Sequence, residues 1–443
     1  MGVQGLPGFI ESEAGKKAIK YAPFSKFRGS RIAVDGNFIT SQIIIAVGDV
    51  HAMRNKAGEV TTHLYGLIYK IKNCVEYAIT PIFVFDGKSP LIKGQTLKNR
   101  SKIRKKSEDA LKSDNLTAEE RTKHFKRSFK LTSAEIKTAQ ILLDLLGVPV
   151  VAASGEADPV LCWLTARCDE TGEHFASGVA SDDSDMLPFG ARKLFKGMLK
   201  FSGKDHLVTI FKQSKILARL NITQNQFIDM CVLMGCDYCR EKDGKKKIEG
   251  IGPSTAYDLI VKHQTLENAL VYLQHNGYID PAKVDDTTKC LIDARNYYRT
   301  ALTDLDNDPD FQVSRSDVEL KRLKPLELIY FLWYQNNFNK DRVFDLVHEI
   351  EHFYDKMGIT AKNTTQFQID KPEVLEEIRQ AYNLKNTLLS EPQTSMSRSP
   401  SDSDEDAAAL DTETDTPPSK RKPRQPRFMR AGMMSKRFKS REL

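Results

Sequence analysis

Seven carboxylates fall where they could share one task. Asp35 closes the apolar run RIAVD before Gly36, and Asp86 closes FVFD before Gly87. Asp183 and Asp185 follow GVAS in the cluster Ser181-Asp182-Asp183-Ser184-Asp185. Glu156 and Asp158 come after the apolar run 148–153, at the start of a helical pattern, and Asp237 lies just past another such pattern, after Gly235. One Asp after a strand is ordinarily a turn residue. Several converging without compensating Arg or Lys repel one another and raise each other's pKa. Hard divalent cations resolve that conflict, and all-oxygen ligation suits Mg²⁺ or Mn²⁺. Two such ions ~3.5–4 Å apart hydrolyse phosphodiesters by activating water and stabilising the leaving oxygen.

Other chemistries find little support. There is no GxxxxGK[ST] loop for ATP and no HExxH among the nine histidines. Cys236-x-x-Cys239 is a lone CxxC with Cys231 as a weak third ligand, so small core or loop cysteines are expected there rather than zinc. Gly250-Ile251-Gly252-Pro253 follows a Lys-rich loop rather than a strand. It reads as a turn opening a helix whose free N–H groups bind a backbone phosphate.

The elements that must position these acids alternate. Runs 31–35, 81–86, 148–153 and 176–181 read as strands, and 62–79, 133–146 and 155–168 as helices. That alternation predicts an α/β fold with a central, mostly parallel sheet flanked by helices. In such sheets the crevice lies beyond the carboxyl ends of the strands, so six of the seven acids are expected along one edge. Segment 93–137 interrupts the alternation as a charged helical excursion. From about 214 the signals turn helical, at 223–234, 253–263, 267–274, 325–336 and 340–356.

The 443 residues are 40% hydrophobic and 28% charged, with a net charge of +7. No apolar run approaches the ~18 residues of a membrane span. The start MGVQGLPGFIESEAGKK lacks the pattern of a signal peptide, and seven cysteines in so long a chain do not make a disulfide scaffold. A reducing compartment is therefore expected, and a secreted or membrane-spanning protein is not. The charge is unevenly spread: residues 93–137 carry fourteen Lys/Arg against six acids, and residues 420–443 carry ten against one. Between 390 and 419 eight acids face a single Arg398. A polyanionic partner fits the two basic segments. The Ser/Pro/Asp-rich and then basic stretch 385–443 reads as a disordered tail, its SDSDED at 401–406 included.

MGVQGL at the start, VDGN around Asp35, VFDGKSP around Asp86, SGEAD around Glu156, SDDSDMLPFG around Asp185, MGCDYC around Asp237 and IEGIGPSTAYDLI occur in one order. Together they resemble the flap endonuclease family of structure-specific 5′ nucleases (XPG/RAD type). The resemblance covers roughly 1–265 and continues more weakly through DVEL at 317–320 toward 350. It implies a PIN-like nuclease core that hydrolyses branched or 5′-ended DNA with two Mg²⁺, Mn²⁺ being a substitute. It assigns Asp35, Asp86, Glu156, Asp158, Asp183, Asp185 and Asp237 to the metals, and Lys93 and Arg100 to the scissile phosphate. It places Gly2 near the active site and makes Gly250–Ile260, with Gly250 and Gly252, a helix-hairpin-helix type grip on duplex DNA, with a monovalent cation.

The implied division is a nuclease region at 1–107, a gateway or cap insert at 93–137, an internal nuclease region at 140–265, a helical part at 266–384 and the tail. Asp158 is shorter than the usual glutamate and precedes Pro159, Ser41 stands where a base-stacking tyrosine is often found, and the loop Cys239–Lys247 is long and basic. The tail shows no sliding-clamp box. Its Lys420-Arg421-Lys422-Pro423-Arg424 resembles a nuclear localisation signal, so the nucleus is expected (the host nucleus for a viral gene). A monomer is expected. The alternatives are a junction-, bubble- or RNA-directed relative and an inactive nucleic-acid-binding scaffold; the complete set of seven acids argues against the scaffold.

Overall fold

Alternate residues of the inner strands face opposite ways, and both faces are apolar. The computed structural model describes residues 2–15, 18–48, 51–113, 115–200 and 205–390. Its strands are β1 (Ile19–Pro23), β2 (Arg31–Asp35), β3 (Thr80–Phe85), β4 (Val150–Ala152), β5 (Val179–Ala180), β6 (Lys193–Lys196) and β7 (Leu207–Lys212). They form one sheet in the order β1-β7-β6-β5-β2-β3-β4. From β6 to β4 every pairing is parallel; β7 runs antiparallel to β6, and β1 antiparallel to β7. Ala33, Ile82 and Val84 enter a core with the helices Ala157–Ala166, Gln224–Met234 and Val284–Asp306. Ile32, Val34, Phe83 and Phe85 enter a second core with Thr62–Glu76, Ser133–Leu145 and Lys340–Lys356. A strand buried on both faces needs a near-continuous apolar run, which RIAV and PIFVF supply.

The expected α/β architecture is the one observed, with two of the four expected strands shorter and three further strands. The run 148–153 narrows to β4, and 176–181 to the two residues of β5. β1, β6 and β7 escaped the sequence reading, as did helix Val284–Asp306. The helical signal at 325–336 resolves into an α-helix, Pro325–Ile329, and a wider π turn, Tyr330–Gln335. The insert is helical as expected, through Gly94–Leu111 and Ala118–Ser128, the second opened by a Thr117/Glu120 capping box. Helix Pro372–Ser390 runs past the expected tail boundary at 385. The acidic stretch from 391 and the basic cluster at 420–443 lie outside the described residues. Cys239 is bonded to Cys290 (Cα–Cα 5.6 Å), and Cys231 and Cys236 are buried free thiols. One bridge among seven cysteines is not a scaffold, and it removes Cys239 as a zinc donor.

Candidate active site

Four adjacent parallel strands deliver six of the acids. Asp35 ends β2 and caps the next helix, Gly36–Val47, by accepting the Phe38 N–H at 2.9 Å. That helix starts against β3 so closely that a Cβ on Gly36 would lie 2.7 Å from the Phe85 ring. Asp86 follows β3; its Oδ1 accepts the Ala157 N–H at 2.9 Å, and its own N–H donates to Asn37 Oδ1 at 3.2 Å. This bond ties the end of β3 to the start of helix Ala157–Ala166, whose first turn carries Asp158 and whose cap is Glu156. Pro159 is tolerated there because first-turn N–H groups have no partner within the helix. Beyond β5, Asp183 accepts the Asp185 N–H at 3.0 Å.

The seventh acid arrives from elsewhere. Asp237 lies in the loop after helix Gln224–Met234 and pairs with Arg100, while Arg240 stands 3.9 Å from its other oxygen. Lys93 pairs with Glu156 Oε1 and lies 5.6 Å from the centre of the Tyr238 ring. Thr96, one turn from Lys93, donates its hydroxyl to the Asp237 carbonyl. The seven acids lie close enough to act on one another through their charges, and Lys93 and Arg100 are bound directly to Glu156 and Asp237. Lys93 lies just before helix Gly94–Leu111, at the end of the 3₁₀ turn Leu91–Lys93, rather than within the helix.

The electrostatics are those of crowded anions. Burial first, and then Asp86 and Asp183, push the Asp35 carboxyl up to about 7. Burial again leads for Asp158, with Asp183 and Asp35 adding to the rise, and for Asp185, with Asp183 and Asp237 adding. Asp183 is raised as well, chiefly by burial, with Asp237 as a repelling neighbour. Burial pulls the Lys93 ammonium down, but Glu156 and Asp158 beside it hold it above the usual lysine range.

Among the described residues no three His, Cys, Asp or Glu side chains close into a ready-made ligand cage. Here Glu156 and Asp237 face Lys93 and Arg100, while Asp35 and Asp86 accept backbone N–H groups. The donor set nevertheless fits divalent cations. It is all oxygen and multiply anionic, and Asp185 is 2% exposed with its Oδ1 lacking any partner. In the absence of a divalent cation, a folded state with raised carboxyl pKa values holds protons that the unfolded chain releases near pH 4. Stability in EDTA is therefore expected to fall as pH rises from about 4 through 7, lowering Tm by about 5 °C. Adding Mg²⁺ at pH 8 should restore it. A Tm that climbs through this range in EDTA would contradict the reading.

Sequence reasoning placed Gly2 by resemblance, and its geometry supplies a reason. With φ +82°, a Cβ on Gly2 would lie 2.1 Å from Asp183 Oδ1 and 2.8 Å from Asp185 Oδ1. The segment is held there by Ser184 Oγ donating to the Val3 carbonyl (3.3 Å) and by Gln4 N–H donating to the Gly235 carbonyl (3.5 Å). Gly2→Ala is expected to displace both acids and cut cleavage by about tenfold to a hundredfold with little loss of Tm. Parallel activity and melting measurements check it.

Two participants were missed: Tyr238 and Tyr297, whose hydroxyls donate to Glu156 Oε2 at 2.9 and 3.1 Å. Tyr238 was findable, being next to Asp237; Tyr297 had no local signal. Gly250 and Gly252 do not join the acids. Gly252 caps helix Pro253–His263, Gly250 has φ +79°, and both line a cavity of about 520 Å³ with Arg240, Lys245 and Lys246.

Comparison with known proteins extends these findings. Residues 1–107 match the XPG N-terminal domain and residues 147–237 the XPG I-region. Flap endonuclease 1-B of Oryza sativa subsp. indica is 35% identical over 363 residues, covering 81% of this chain and 82% of that protein. Flap endonuclease 1 of Glycine max is 35% identical over 357 residues (79% and 87%). The fold is similar to flap endonuclease-1 from Methanococcus jannaschii (TM-score 0.53, 24% identity, covering 76% of this chain and 96% of that one). It is also similar to the catalytic core of Rad2 in complex with DNA substrate (TM-score 0.55, 20% identity, covering 79% and 100%). The matched relatives and family domains define a metal-dependent nuclease, a hydrolase of phosphodiester bonds. The chain belongs to the flap endonuclease family, the structure-specific 5′ nucleases of DNA replication and repair.

Proposed function

We propose that the protein cleaves branched or 5′-ended DNA, with 5′ flaps as its main substrate and 5′→3′ exonuclease action as a second mode. Asp35, Asp86, Glu156, Asp158, Asp183, Asp185 and Asp237 would hold two Mg²⁺ ions, for which Mn²⁺ can substitute. When bound, the ions would activate water and neutralise charge on the scissile phosphate. The observation that carries the reading is the seating of Lys93 on Glu156 and Arg100 on Asp237, at the edge where the acids crowd. Both cations are long and flexible enough to turn from a carboxylate to an arriving phosphate, where they stabilise developing negative charge.

The insert 93–137 serves as a gateway for a single strand. The turn Gly250–Gly252 and helix Pro253–His263 grip duplex DNA through backbone N–H groups, helped by Arg240, Lys245 and Lys246. A monovalent cation joins that grip. The division into 1–107, 93–137, 140–265, 266–384 and the tail follows the same assignments. The basic cluster at 420–424 supports nuclear import and sequence-independent DNA contact. The protein acts as a monomer, without a sliding-clamp motif. The test is cleavage of end-labelled flaps, nicks, bubbles, four-way junctions and single strands in Mg²⁺. Preference for the 5′ flap is expected; preference for junctions or bubbles, or no cleavage at all, would overturn the reading.

A further inference from the structure

Glu156 meets two phenols, and one of them comes from far outside the matched segments. Tyr297 lies in helix Val284–Asp306, beyond both regions matched by the family models. Its hydroxyl donates to Glu156 Oε2, the same oxygen that accepts from Tyr238, while Lys93 takes Oε1. The two rings pack at 4.8 Å between centroids, and Phe189 lies 5.9 Å from one and 5.8 Å from the other. The helix is fastened to the loop carrying Asp237 and Tyr238 by the Cys239–Cys290 bond and by Lys247 pairing with Asp286.

A carboxylate with both phenols on one oxygen has lost its freedom to rotate, and its other oxygen is committed to a single direction. We propose that Tyr297 is a positioning residue: its hydroxyl fixes the orientation in which Glu156 meets a divalent cation, so helix Val284–Asp306 helps set cation affinity. This rests on the reading of Glu156 as a cation ligand. Groups that orient a ligand typically change metal affinity or activity by about 10–100-fold when removed. The neighbouring residue supplies the control. The Tyr298 hydroxyl is buried without a partner, although its ring packs on Tyr238 and Phe189 as well.

Tyr297→Phe keeps the ring and deletes only the donor. The Mg²⁺ concentration for half-maximal single-turnover cleavage is expected to rise roughly tenfold. Calorimetric titration of the DNA-free protein with Ca²⁺ should show weaker binding by a similar factor, with Tm held close to wild type. Tyr298→Phe should leave both cation readouts unchanged. Glu156→Gln should weaken cation binding by itself, and adding Tyr297→Phe to it should change nothing further. If Glu156→Gln weakens binding and Tyr297→Phe does not, the positioning role is wrong and the ligand reading stands. If Glu156→Gln binds cations like wild type, the ligand reading fails and the positioning role with it. Additive losses in the double variant, or equal losses in Tyr298→Phe, would also overturn the proposal, because Tyr297 would then be acting through packing.

Discussion

Asp185→Asn is expected to slow Mg²⁺-dependent cleavage on the order of a thousandfold while the dissociation constant for a 5′-flap substrate moves only a few-fold. The size follows from where the residue sits. Asp185 is buried beneath Gly2, shares its surroundings with Asp183 and Asp237, and presents an oxygen that no protein group satisfies. Asn keeps the shape but removes the anion, so a cation held there loses attraction without any phosphate contact being touched. Ca²⁺ should support binding of the same substrate but not turnover, because its looser coordination misplaces the attacking water. A variant that cleaves at close to the wild-type rate would sink the cation-site assignment.

Lys93→Ala and Arg100→Ala should each reduce the cleavage rate of bound substrate by about a hundredfold, the scale of one lost transition-state contact. Flap affinity should change much less, since Lys245, Lys246 and the turn before helix Pro253–His263 remain. Lys93 is held among carboxylates with little exposure, and the Arg100 side chain is 42% exposed. The two therefore reach the edge from one basic segment, at different depths. If a single strand threads past them, a bulky block on the free 5′ end should inhibit when attached before the enzyme is added. A solvated basic helix would instead give slightly weaker binding and an unchanged bound-state rate. Mixing enzyme in excess with labelled flap DNA separates the outcomes, and unchanged rates in both variants would reject the gateway.

What was legible in the chain follows from how local each signal is. RIAVD and PIFVFD name their strands because both faces of those strands are buried, and an acid at the end of such a run reveals the edge it will share. Strand β1 is an edge strand with Tyr21 58% exposed and breaks no pattern that a loop would not. Helix Val284–Asp306 buries Thr287, Leu291, Ala294, Arg295, Tyr298 and Ala301. That stripe has helical spacing, but Thr and Arg within it hide the hydrophobic period. The pairing of Cys239 with Cys290 and the meeting of Tyr297 with Glu156 join positions 51 and 141 residues apart. Contacts of that kind depend on how helices stack over the sheet, which no local pattern encodes. Lys93 and Arg100 were assigned only through the family resemblance, and the first lies just outside the helix Gly94–Leu111 that carries the second.

The acidic edge itself can be interrogated without turnover. Electron paramagnetic resonance of Mn²⁺ titrated into the protein with a bound, cleaved flap product counts the ions held and their affinity. Wild type is expected to hold two Mn²⁺ per chain, and Asp185→Asn to lose at least one of them under the same conditions. Equal numbers of ions bound with equal affinity by the two proteins would contradict the assignment of these carboxylates to the metals.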